Sequence, residues 1–147
     1  MRKKIKGFID QFFLINDTPH KIAAGAAIGV LFGIAPGEGL ATTLVMVSLL
    51  KFNRLSATLG VMATNMWSTL VVLPFAAAIG SYFFEIEEAY LVNQFYEAYQ
   101  LGYMHLLNVL VDIALPLLVG YLIIAGLSAF LVYLLLYFAI LLLNDKK

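Results

Sequence analysis

The residue best suited to chemistry is Glu38, in the run Pro36-Gly37-Glu38-Gly39 at the centre of an otherwise apolar stretch, residues 22–50. A carboxylate and a helix breaker at membrane depth are costly unless they are buried in protein or line a wet cavity. A turn at that depth exposes unpaired N–H groups, and a helix starting near Leu40 aims its positive end at the same place, which would favour the Glu38 carboxylate or an incoming anion. Thr42 and Thr43 follow within one turn. A second polar run, Thr64-Asn65-Met66-Trp67-Ser68-Thr69, interrupts the next apolar stretch. Glu38, Thr42, Thr43, Asn65 and Ser68 are therefore the candidate substrate or ion pathway. The plainer readings are that Glu38 caps the second half-helix and that the hydroxyls and Asn65 bond neighbouring helices.

Three further residues, His20, Lys21 and Arg54, flank the first stretch and suit contact with a lipid headgroup on the cytoplasmic side. The two histidines, His20 and His105, have no carboxylate at ligand spacing, and the chain has no cysteine. No metal site, cofactor, phosphate-binding glycine loop or nucleophile–base arrangement is expected, so no enzymatic activity is either.

The elements that must hold these residues are helices. The 147 residues are 63% hydrophobic and 12% charged, with a mean hydropathy of +0.94. A soluble domain of this size is about half apolar and about a quarter charged, so the excess calls for lipid. The charges give no basic surface for nucleic acid. We expect an all-α integral membrane protein, with one or two interrupted, re-entrant helical hairpins plus transmembrane helices, forming a single membrane domain over residues 1–147.

Residues 1–16 read as an interfacial amphipathic helix, with Ile5, Phe8, Ile9, Phe12 and Phe13 at helical spacing among lysines. Asp17-Thr18-Pro19 is a helix start, with Asp17 or Thr18 as cap and Pro19 at the first helical position. A broken hairpin is expected over 20–51, with one helix to about Ile34, a break, and a second helix over 40–50. The 29 residues of 22–50 would make a straight helix of ~43 Å, long for one ~30 Å crossing and short for two. Lys21 before the stretch and Lys51 and Arg54 after it return to one side only if the chain folds back; a kinked, tilted single span is the competing topology. Gly25, Gly29, Gly33 and Gly37 recur at every fourth position, the pattern of a close helix–helix contact within or between subunits.

A second interrupted segment covers 55–84, and it either crosses or re-enters. An acidic, tyrosine-rich amphipathic segment covers 85–105. The C-terminal region, 106–143, is long enough to cross from about Ile113, with Lys146-Lys147 marking its inner end.

The residues Asp17-Thr18-Pro19-His20-Lys21-Ile22-Ala23, then Gly25, Gly29, Gly33, Pro36 and Gly39, Thr42-Thr43, Asn53-Arg54-Leu55-Ser56-Ala57 and Asn65 resemble the bacterial membrane family called domain of unknown function 2062. The resemblance covers about residues 15–85. That family usually follows Asn65 with proline and then threonine, where this chain has Met66-Trp67-Ser68-Thr69. The resemblance implies a bacterial inner-membrane protein and brings no established activity.

Two functions follow as expectations. The first is a transporter- or channel-like protein for a small anion, a proton-coupled solute or a phosphate-bearing lipid headgroup, with the two breaks facing each other. The second is a non-transporting scaffold or accessory subunit that oligomerises through the glycine ladder. Both place a multi-pass chain in the bacterial inner membrane with its N-terminus cytoplasmic, with the lipid bilayer and further copies of itself as partners.

Overall fold

The computed structural model describes residues 17–35, 39–64, 66–101 and 103–144, with side chains described for these except at 66, 67, 69, 98, 99, 103–112 and 144. The expected helix over 1–16 lies outside them. Among the described residues the chain is all helical: α1 (Pro19–Ile34), α2 (Leu40–Leu49), α3 (Arg54–Thr64), α4 (Met66–Phe84), α5 (Glu88–Leu101) and α6 (Tyr103–Asn144).

The first apolar stretch folds back on itself. α1 starts where the sequence places it, with Pro19 at the first helical position and the Thr18 hydroxyl accepting from the Lys21 amide. It ends at Ile34, where Ala35 turns extended, and α2 begins after Gly39, which is also extended. α2 closes in a Schellman turn, in which the Phe52 amide reaches the Val47 carbonyl (2.9 Å) and the Lys51 amide reaches Ser48 (3.3 Å). Lys51 supplies the left-handed residue of that turn, at φ 58°. The chain has by then returned to its start, because the Asn53 amide donates to the Lys21 carbonyl at 3.1 Å.

α3 then runs parallel to α1, because Gly25, Gly29 and Gly33 of α1 abut Ser56, Ala57 and Thr64 in ascending order. α6 runs antiparallel to α1, as His20 meets Tyr133 at one end while Val30 and Ile34 join the cluster of Leu117 and Tyr121 at the other. α4 is antiparallel to α6, with Gly80 on the Pro116 backbone and Gly120 on the Ala76 backbone. α3 and α4 thus advance in the same direction, and the second interrupted segment continues along the molecule instead of turning back.

α6 is the spine. Its 42 residues extend ~63 Å; α1 packs on its C-terminal part, and α4 and α5 pack on its N-terminal part. The core lies where these meet: Val30, Ile34, Leu73, Ala76, Ala77, Leu91, Ile113, Leu117, Tyr121 and Ala125. α5 turns Leu91, with Val92 and Phe95, toward this core and leaves Tyr96 and Glu97 outside. Pro116 stays inside α6 without ending it.

Among the described residues one helix, over Ile113–Leu143, is long and apolar enough to cross a membrane, and only 11% of its most apolar window is buried. A core helix of a soluble protein of this composition would be mostly covered. The apolar helices over Pro19–Ile34, Leu40–Leu49 and Leu70–Phe84 are shorter.

Candidate functional site

Two places in this fold gather the polar residues, one at each end of α1.

At the closed end, Asn53 ties three segments together. Its Oδ1 accepts from the Ser56 amide (2.8 Å), capping α3, and its Nδ2 donates to Asp17 Oδ2 (2.8 Å). Its backbone amide bonds Lys21, and its carbonyl accepts from the Ala57 amide (3.2 Å) and the Ser56 hydroxyl (3.0 Å). Asp17 also pairs with Lys21 Nζ at 3.7 Å. His20 Nδ1 shares a 2.9 Å hydrogen bond with the Tyr133 hydroxyl, and its ring sits edge-on against Phe52 and Tyr133. The structure therefore brings His20, Lys21 and Arg54 to one end, with Arg54 exposed at the start of α3. Spacing alone singled out neither Asp17 as a partner of Asn53 nor Tyr133 as a partner of His20; the latter pair is separated by 113 residues.

At the far end the start of α4 meets the last turn of α1. The Ser68 hydroxyl bonds the Gly33 carbonyl at 3.2 Å, and it also bonds the Thr64 carbonyl one turn back in its own chain direction. Gly33, near the end of α1, lies against the Thr64 side chain. Ser68 and the last turn of α1 are thus neighbours. Thr43 is fully buried in α2, and its hydroxyl donates to the Gly39 carbonyl at 3.0 Å, one turn back; Thr42 is exposed. Glu38, Gly37 and Asn65 lie outside the described residues. Hydroxyls on α3 close on their own helix in the same way, Thr58 to Arg54 (2.9 Å) and Thr64 to Gly60 (2.7 Å). Such back-bonding lets polar side chains sit in apolar surroundings without an unmet donor.

Between the two ends runs the glycine face. Gly25, Gly29 and Gly33 are occupied by α3 of the same chain, and the approach is backbone to backbone: a Cβ at Gly60 would fall 2.6 Å from the Ala26 carbonyl oxygen and 3.1 Å from the Gly29 Cα. Small residues allow this contact. A second copy of the chain has no room on that face, so the scaffold expectation loses the interface it named. Gly60 is the partner that the four-residue spacing in α1 did not reveal, because it stands without a companion glycine on α3.

The chain matches, over residues 2–147, the family described as uncharacterized proteins conserved in bacteria (DUF2062). It belongs to that family. The match takes in the last third of the chain, beyond the 15–85 that its motifs suggested, so α6 is part of what family members share. Searches among curated proteins and among solved structures found no match.

Proposed function

We propose that this chain is a multi-pass protein of the bacterial inner membrane, with a transporter- or channel-like site where its two helix breaks meet. The substrate class is a small anion, a proton-coupled solute or a phosphate-bearing headgroup, and the reading assigns no catalytic step. The bond from Ser68 to the Gly33 carbonyl carries it, because it sets the second break against the last turn of α1, the helix that leads into the first. Interrupted helices that meet inside a bundle supply half-helix ends for ion and substrate contact. In this reading Glu38 couples protons or cations, the exposed Thr42 lines the approach while the buried Thr43 hydroxyl is held by the Gly39 carbonyl, and Asn65 bridges the breaks.

The placement in a bilayer rests on α6 and on the polar end of α1. Residues 113–132 of α6 number twenty, ~30 Å, which matches the hydrocarbon core. The next residue is Tyr133, at the level of His20, Lys21, Asp17 and Asn53. That set is a natural headgroup boundary on the cytoplasmic side, with α1–α2 as a re-entrant hairpin rising from it. With α1 only 16 residues long, ~24 Å, its tip stays inside the hydrocarbon. So small a bundle would be completed by further copies, which must meet on faces other than the glycine ladder.

Flux in proteoliposomes tests the function. Anion or proton-coupled uptake above that of empty vesicles is expected, with Glu38→Gln reducing it at least about tenfold, equal to about 1.4 kcal/mol. Uptake that Glu38→Gln leaves unchanged would remove Glu38 from the mechanism; background flux for all three substrate classes would remove the transport reading.

A further inference from the structure

Of the three residues whose sequence positions suit a headgroup, the fold engages two within the chain. His20 is hydrogen-bonded to Tyr133, and Lys21 is paired with Asp17. Arg54 is exposed and, among the described residues, pairs with no carboxylate. The same holds for Lys51, three residues earlier. Asp17 is the one acidic residue described at this end, and Lys21 and Asn53 already share it.

Lys51 stands where glycine is usual. Its φ of 58° lies in the left-handed region, which a residue with a side chain occupies at a cost in stability. Backbone bonds hold the loop around it: the Lys51, Phe52 and Asn53 amides reach the Ser48, Val47 and Lys21 carbonyls. Two unpaired cations are thereby fixed on one short turn, at most ~10 Å apart along the chain. Two long side chains can close that gap on a single phosphodiester. A strained position occupied by lysine points to a task for its charge.

Next to this turn the surface is apolar and one leaflet deep. Leu55, Leu59 and Met62 follow Arg54 at i, i+4 and i+7 on the outer side of α3, and Val45 and Leu49 face outward on α2. Leu49 and Met62 are 74% and 68% exposed. α3 has 11 residues and α2 has 10, ~16 Å and ~15 Å, about half of the ~30 Å of hydrocarbon. A cationic turn above an apolar stripe of that depth matches one phospholipid in both charge and length.

We propose that Lys51 and Arg54 bind the phosphodiester of an anionic phospholipid in the cytoplasmic leaflet, with its acyl chains along the outer side of α2 and α3. Arg54 offers a fork of donors to the phosphate, and Lys51 a point charge. The leaflet placement rests on the bilayer reading above; the two unpaired cations do not.

Native mass spectrometry of the full chain in mild detergent, titrated with phosphatidylglycerol and with phosphatidylethanolamine, reads the site. The wild type should prefer phosphatidylglycerol about thirtyfold, each cation contributing about fivefold. Lys51→Gln with Arg54→Gln should bring the two lipids within about twofold. Lys51→Arg with Arg54→Lys, and separately Lys21→Gln, should keep the preference. Lys51→Gly should raise the thermal midpoint by relieving the left-handed lysine, yet bind phosphatidylglycerol about fivefold more weakly. The proposal is overturned if the wild type takes both lipids equally, if the Gln pair keeps the preference, or if Lys21→Gln abolishes it. It is overturned equally if soluble glycerol phosphate competes as well as the lipid, which would make this a free-phosphate site. A disulfide between two copies of Leu59→Cys in native membranes would give the stripe to a second chain and sink the lipid assignment. Maleimide labelling at positions 20, 53 and 90 tests the bilayer reading separately, so either can fail alone.

Discussion

At the residue scale, Asn53 has a task that few side chains could fill. It must accept at the α3 cap and donate to Asp17 at the same time, which requires an amide with both functions within one short side chain. Asn53→Ala should lower stability by about 1–3 kcal/mol, through the lost cap and the lost hydrogen bond to Asp17, which would keep only its pairing with Lys21. Asn53→Asp keeps the acceptor but removes the donor and sets a second carboxylate beside the first, so it should fall at least as far. Thermal unfolding in mild detergent reads both, and an Asn53→Asp midpoint equal to wild type would deny the link to Asp17. Sequence alone carried part of this. The Thr18 cap and Pro19 start are local signals, complete within four residues, and the structure has them as expected. The role of Asn53 is not legible in the sequence, because its partner lies 36 residues away and no local spacing encodes that.

At the scale of elements, glycine content mattered less than what each glycine faces. Gly29 and Gly60 sit where two backbones touch: a Cβ on Gly29 would fall 3.0 Å from the Gly60 Cα. Gly126, in the middle of α6, has open space around it. Gly60→Ala should therefore separate α1 from α3 at a cost of about 1–3 kcal/mol. Gly126→Ala meets nothing and removes a flexible residue from a helix interior, so it should stabilise by about 0.5–1 kcal/mol. Two glycine-to-alanine changes with opposite signs in one unfolding assay would show that contact, not helix propensity, governs. The ladder on α1 was visible as a four-residue period. Gly80 against Pro116 and Gly120 against Ala76 were not, because each is a lone glycine whose meaning depends on the helix opposite. A proline inside a helix removes one backbone donor, as Pro116 does in α6. In the fold α6 continues through it, with Gly80 letting α4 close on the Pro116 carbonyl.

At the scale of the whole molecule, the direction of each helix decides the topology. A chain leaving the Lys21 level along α1 must be back there at Asn53, since the amide of one is bonded to the carbonyl of the other. It then advances through α3 and α4 without reversing, and α6 brings it home, with Tyr133 beside His20. An even number of passages separates positions 20, 53 and 133, whereas α5 follows the far end of α4 after the turn at Glu85. In a bilayer this ordering makes a firm forecast. Cysteines introduced at 20 and 53 should react with a membrane-impermeant maleimide from the cytoplasmic side only, and one at 90 from the other side only. Lys21, Lys51, Arg54 and the basic first residues all favour that orientation, while Glu85, Glu87 and Glu88 have no such preference to oppose it. Replacing Lys51 and Arg54 together by Gln should leave the labelling pattern unchanged, because the bonds at Asn53, not the loop charges, hold the hairpin closed. Labelling of 20 and 53 from opposite sides would mean that the first apolar stretch passes straight through the bilayer, and the contact of Ser68 with the last turn of α1 would then have no membrane cavity to serve.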